Sequence, residues 1–180
     1  MHVSNTLKTR VQQQFVNGEV PEILALAQKE GISELAVLEC MPPECITKVS
    51  ASHFNEIMVM VATWGTVTIA IKTMGMELSV HGPLPIGHLN EDEEYIFSSG
   101  DMYALGGSIQ TTHIESIYFL DGSQYQDPCY AILFFDYFGS CMFKILPQKD
   151  EQQKFDQEQV EYLRTMRDRI TEQPGCSCCS

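Results

Sequence analysis

The chain has 180 residues, with 24 Asp and Glu against 11 Lys and Arg, and its formal net charge is −13. Hydrophobic residues make up 44% of the sequence, enough to bury the core of one ordinary domain, so disorder of the whole chain is excluded. A surface this acidic repels phosphate backbones and anionic lipids, which argues against nucleic-acid and membrane-surface binding.

The sequence also predicts the compartment. No apolar run reaches the ~20 residues that a transmembrane helix needs. Residues 1–8 lack the basic and apolar regions of a secretory signal, so we expect none. The seven cysteines are therefore expected to be reduced thiols in the cytoplasm, and their odd number prevents full internal pairing.

Residues 1–43 are predicted to form a helical segment. Its helix boundaries follow from capping residues, glycines and prolines: Ser4, Gly18, Pro21, Gly31, Ser33 and Pro42–Pro43. The second and third helices have helix-turn-helix topology, but the third carries Glu34 and Glu39 and no basic residue. DNA binding is disfavoured because phosphate contacts require Lys or Arg.

The rest of the chain is predicted to be mostly strands between two helices. Helices are expected over 52–64 and 151–170, and strands over 66–73, 77–81, 95–97, 102–105, 108–112, 113–120, 129–137 and 141–146. The last two strands are expected to form a central, buried hairpin. This order predicts an α+β protein with a mostly antiparallel sheet, forming a single domain over 1–172 followed by a flexible tail, 173–180.

Several sequence blocks carry a family resemblance. They are Trp64-Gly65-Thr66-Val67-Thr68, Gly82-Pro83-Leu84-Pro85-Ile86-Gly87, Thr112-His113-Ile114, and Ala131-Ile132-Leu133-Phe134-Phe135 followed by Phe143-Lys144-Ile145. In this order they resemble the HutX/ChuX family of haem-utilisation proteins. The resemblance implies a large curved, mostly antiparallel sheet flanked by helices, related to half of a larger HemS/ChuS-like protein. It also implies a cytoplasmic homodimer that binds haem and hands it to a haem-degrading partner.

The resemblance implies ligands for haem iron, but this sequence has the family's ligand residue at only some of the matching positions. A family histidine falls on His113, a family tyrosine falls on Tyr95, and a second family histidine falls on Lys72, which is not an ordinary replacement. His81 and His88, beside the Gly-Pro loop, are alternative ligands, while Lys72 and Lys144 are the sheet-region cations able to contact haem propionates. Each residue also has a purely structural interpretation, as an exposed histidine, a packed tyrosine or an exposed strand lysine.

Three cysteines in the tail form a second candidate site. Cys176, Cys178 and Cys179 can bind a soft metal, accept haem iron or exchange disulfides. They do not make the four-ligand set of structural zinc. An incidental group of reduced thiols is the alternative interpretation.

The expected function is that of a haem carrier rather than an enzyme. The sequence shows no Ser-His-Asp arrangement, phosphate-binding loop or paired carboxylates with credible spacing. The alternatives are a haem-modifying or haem-degrading enzyme, a soft-metal or redox chaperone that uses the Cys tail, and a helix-turn-helix regulator.

Overall fold

The computed structural model describes residues 5–16, 22–98, 103 and 105–172. The helices are α1 (Asn5–Val16), α2 (Ile23–Glu30), α3 (Glu34–Leu38), α4 (Phe54–Val61) and α5 (Gln157–Glu172). The strands are β1 (Ile46–Ser50), β2 (Thr66–Thr73), β3 (Met76–Pro83), β4 (Gly87–Leu89), β5 (Glu94–Phe97), β6 (Ser108–Gln110), β7 (Ser116–Asp121), β8 (Tyr130–Phe135) and β9 (Cys141–Pro147). Short 3₁₀ turns, Ala51–His53 and Thr111–His113, precede α4 and β7.

The strands form two antiparallel sheets. The large sheet has six strands in the order β1-β7-β8-β9-β2-β3, and the small sheet has the order β4-β5-β6. The strands of the predicted hairpin, β8 and β9, are the two central strands of the large sheet, which confirms that prediction. The α+β class with a large antiparallel sheet is also confirmed.

The two faces of the large sheet bury different cores. Every residue of β8 is buried, and successive side chains enter opposite cores. Ile132 and Phe134 pack in the first core, with α4, α5 and the small sheet. Ala131 and Leu133 pack in the second core, with residues of α1, α2 and α3.

The helical layer on the second face is held by local signals that the sequence carries. The Ser33 hydroxyl caps α3 by accepting a hydrogen bond from the Ala36 N–H at 3.2 Å. Gly31 ends α2 in the left-handed conformation, at φ 66°. The helices α2 and α3 pack on each other, as the helix-turn-helix topology predicts.

Some predicted boundaries are wrong. The strands β1 and β4 were not predicted. The C-terminal helix begins at Gln157 rather than 151, because Asp150 accepts hydrogen bonds from the Gln152 and Lys154 N–H groups in a turn before the helix, and Asp156 accepts one from the Glu158 N–H at the helix start. His113 does not begin a strand: the Ile114 N–H donates to the Thr111 carbonyl in a 3₁₀ turn, and β7 begins at Ser116.

Two predictions fall wholly or partly outside the described residues. The tail 173–180 lies outside them, and so do two positions of the strand predicted over 102–105. Among the residues that are described, no helix is long and apolar enough to cross a membrane.

Candidate ligand-binding groove

None of the described helices packs over one half of the second face of the large sheet. The residues of α1, α2 and α3 that enter the second core pack against side chains of β1, β7 and β8. The other three strands present mostly polar side chains on this face. We define the open face by these residues: Thr66, Thr68, Ala70 and Lys72 of β2; Glu77, Ser79 and His81 of β3; and Lys144 and Leu146 of β9.

Two adjoining cavities run along the open face and form one groove. Their volumes are about 230 Å³ and 640 Å³, and both are lined by Ala70, Lys144, Leu146, Lys149 and Phe155. The smaller cavity extends under α2, where Ile23 and Leu24 form a wall. The larger one extends over β2 and β3 to Thr68 and His81. The groove therefore has an apolar floor and polar margins.

Three lysines line the groove, and they differ in their partners. Lys72 forms ion pairs with Glu22 and with Glu77, and hydrogen bonds from its ammonium to these carboxylates raise its pKa. Within the described ranges, Lys144 and Lys149 form no ion pair. The Lys149 ammonium lies 4.5 Å from the centroid of the Phe155 ring. Two groove cations are thus available to an anionic ligand.

One imidazole reaches the groove. His81 lies opposite Thr68 in the β2–β3 pairing, and its Nδ1 is 2.8 Å from the Thr68 hydroxyl oxygen. The His81 side chain is exposed, and among the described residues its other ring nitrogen, Nε2, has no hydrogen-bond partner.

Two thiols also line the groove, but their protonation limits what they can bind. Burial raises the pKa of Cys129 and of Cys141 to about 12. Both are therefore neutral thiols at pH 7, and the thiolate is the form that binds metals. Among the described side chains, no group of three or more His, Cys, Asp and Glu residues is placed to hold a metal ion.

The remaining predicted site residues lie away from the groove. Tyr95 is fully buried in the first core, where its hydroxyl accepts a hydrogen bond from the Gly87 N–H at 2.9 Å and burial raises its pKa. His88 is exposed on β4, and His113 is exposed at the end of its 3₁₀ turn. Their roles as iron ligands stay predictions, as do those of Cys176, Cys178 and Cys179, which lie outside the described residues.

The structure thus places Lys72 and His81 on the same face of the large sheet and adds residues that were not proposed as site residues. Thr68, Lys149 and Phe155 also line the groove. The isolated bridge between Lys149 and Phe155 places the last two beside the open face. The sequence feature that could have indicated Lys149 is that it is a basic residue two positions after the end of β9.

The fold and the groove define an α+β protein with an open, ligand-accessible sheet face. A sequence model of the family described as haem utilisation ChuX/HutX matches residues 47–166. The chain belongs to this family.

Known proteins of similar sequence or fold agree with this assignment. The intracellular heme transport protein HutX of Vibrio cholerae is 24% identical over 143 residues, which cover 79% of this chain and 73% of HutX. The structure of the heme-binding protein ChuX matches with a TM-score of 0.77 at 22% identity, over 92% of this chain and 99% of ChuX. The heme-degrading enzyme ChuS of Escherichia coli O157:H7 matches with a TM-score of 0.68 at 10% identity, over 92% of this chain but only 49% of ChuS. At these identities the structural matches show the fold.

Proposed function

We propose that this chain binds haem in the groove and transfers it to a haem-degrading partner in the cytoplasm. The observation that carries the proposal is the open face itself, an apolar floor bordered by two lysines that form no ion pair with any described residue, in a chain of the ChuX/HutX family. The names of HutX and ChuX, a heme transport and a heme-binding protein, support the same cargo.

The chemistry of the groove suits haem. Haem is a flat apolar ring with two propionate groups on one edge. Ala70, Leu146 and Phe155 offer an apolar surface to the ring, and Lys144 and Lys149 can each form a charge-assisted hydrogen bond with a propionate. An open groove also lets the ligand leave, which a transfer protein requires.

We propose carriage rather than haem degradation. ChuS, a heme-degrading enzyme, is about twice as long as this chain, and its likeness to this chain is one of fold. Incubation of the haem complex with a reductant separates the two functions. Carriage predicts a stable Soret band, whereas loss of the band with release of a cleaved product would indicate degradation.

Haem titration tests the proposed site. We expect saturable binding at one haem per chain, and a Lys144→Glu/Lys149→Glu variant that binds haem roughly tenfold to a hundredfold more weakly, because two charge-assisted contacts are lost. The matched control is Lys154→Glu, an exposed lysine whose side chain does not line the groove. Equal affinity of the double variant and the control would contradict the groove as the site.

We also propose that the chain forms a homodimer through β3. This strand is an edge of the large sheet and exposes Met76 and Leu78, so it presents both backbone groups and apolar side chains to a second copy. The chain matches only 49% of ChuS, which leaves room in that fold for a second copy.

The dimer is tested by its mass in solution. Light scattering after size exclusion is expected to give twice the chain mass for the natural protein and one chain mass for Leu78→Lys, because a charge on the pairing strand opposes association. Phe138→Lys, an exposed residue of the β8–β9 turn, should stay dimeric. A natural protein that runs as one chain would contradict the dimer.

A further inference from the structure

Thr68 and His81 form a hydrogen-bonded pair of side chains on the open face. They are directly opposite residues of β2 and β3, so their side chains leave the sheet on the same face. The 2.8 Å contact joins Thr68 Oγ1 to His81 Nδ1. Thr68 stands on a strand paired on both sides, and its β-branched side chain has few rotamers. The hydroxyl therefore has a fixed position, and the imidazole extends from the neighbouring edge strand β3.

The other groove residues of the types that hold haem iron in proteins are poor donors here. Such ligands are His, Cys, Met or Tyr. Cys129 and Cys141 are protonated thiols. Tyr130 is buried with its ring packed edge-on against Phe155 at 5.1 Å, and burial raises its pKa. Of the described residues that line the groove, His81 alone offers an imidazole.

Resting on the proposed haem binding in this groove, we propose that His81 ligates the haem iron through Nε2 and that Thr68 is its positioning residue. Nδ1–H donates to the Thr68 hydroxyl, so the Nε2 lone pair is free and directed away from β2. A hydrogen bond to the second ring nitrogen is the usual means by which proteins fix the tautomer and orientation of a metal-binding histidine. Ligation adds one N–Fe bond and moves no proton or electron.

With His81 as the iron ligand, the basic residues of the open face have different roles in haem binding. Lys72 is occupied by Glu22 and Glu77, so it is a cation without a lone pair and does not ligate iron. The imidazole instead comes from the neighbouring strand, at the polar margin of the larger cavity. Lys144 and Lys149, which line both cavities, remain free for the propionates.

The test uses the full chain with His81→Ala, Thr68→Val and Thr68→Ser, and His88→Ala as a matched control. We expect His81→Ala to change the ferric Soret and charge-transfer bands, and added imidazole to restore them. Thr68→Val should release haem to apomyoglobin about tenfold faster, because the ring is no longer held, while Thr68→Ser should keep the natural rate. In the haem-free protein, ¹⁵N NMR of labelled histidine should show the Nδ1–H tautomer at His81, and this preference should weaken in Thr68→Val.

The outcomes separate this inference from the proposed function. Saturable binding with the natural spectrum in His81→Ala would overturn the ligand while the carrier function stands; a changed spectrum in His113→Ala would then place the ligand at His113. An Nε2–H tautomer at His81, or equal release rates for Thr68→Val and Thr68→Ser, would overturn the role of Thr68. No saturable binding by the natural protein would overturn the proposed function and this assignment with it.

Discussion

At the scale of single residues, Gln159 links the C-terminal helix to the large sheet. It is a buried polar residue whose amide nitrogen donates to the carbonyls of Trp64, at 2.9 Å, and Thr66, at 2.8 Å. Its amide oxygen accepts from the Gln148 N–H at 2.7 Å. One side chain thereby satisfies three backbone groups around the start of β2 and the end of β9.

We expect Gln159→Met to lower the free energy of unfolding by roughly 2–4 kcal/mol, because it leaves buried backbone groups without partners while conserving side-chain size. Urea denaturation measures the loss. Gln157→Met, an exposed substitution in the first turn of the same helix, should change stability little. Equal losses in the two variants would show that the buried hydrogen bonds contribute nothing specific.

The residues of the groove were only partly predictable from sequence. His81 and Lys72 were singled out as chemistry-bearing types, but nothing local places them on one face. Their placement depends on the register of the β2–β3 pairing, which sets Thr68 opposite His81 and Lys72 opposite Glu77. Tyr95 was also singled out for its chemistry, but it lies in the first core, where its hydroxyl accepts a hydrogen bond from the Gly87 N–H.

At the scale of elements, the long periodic segments were predicted, whereas two of the short strands, β1 and β4, were missed. The helix over Phe54–Val61 and the strands β2, β3, β8 and β9 carry their own pattern of apolar residues. The five residues of β1 do not, and β1 is a strand because it pairs with β7, far along the chain. Such long-range packing also decides which half of the sheet the helical layer leaves open. Local sequence patterns could not predict this.

Ion pairs between Asp121 of β7 and two arginines of α5, Arg164 and Arg167, join two of these elements and make their association depend on pH. Burial alone would raise the pKa of Asp121, at the end of β7, but hydrogen bonds from Arg164 of α5 and from Ser123 hold it below its ordinary value. A carboxyl whose pKa is lower in the folded state stabilises the protein above its unfolded pKa of about 3.9 and loses that contribution as pH falls further.

Asp121→Asn is therefore expected to lower the free energy of unfolding at pH 7 by roughly 1–3 kcal/mol, because charged hydrogen bonds to Arg164 are lost. It should also weaken the decline in stability between pH 5 and about 3, measured by urea denaturation at each pH. Glu172→Gln, which removes an exposed carboxylate at the end of the same helix, should leave the pH profile unchanged. An unchanged profile in Asp121→Asn would contradict the shifted pKa as its source.

At the scale of the whole molecule, the two cores share strands β7 and β8 of the large sheet. Alternate side chains of β7 and β8 enter opposite cores: Ile117 and Ile132 pack in the first, and Tyr118 and Leu133 in the second. If β7 and β8 separated from one core, the side chains that they bury in the other core would also become exposed. The groove lies on the same sheet, so its floor is as stable as the fold itself.

The shared strands predict that the two cores unfold in one cooperative transition. The single tryptophan, Trp64, reports on the first core by fluorescence, and Cys40 and Cys45, buried in the second, report by pulsed alkylation read by mass spectrometry. Both probes should give the same urea midpoint, and saturating haem should move both midpoints upward together, since a ligand that binds only the folded state stabilises it by about 2.7 kcal/mol at a hundred times its Kd. Alkylation of Cys40 and Cys45 at lower urea than the change in Trp64 would instead show that the helical layer opens by itself, away from an intact sheet.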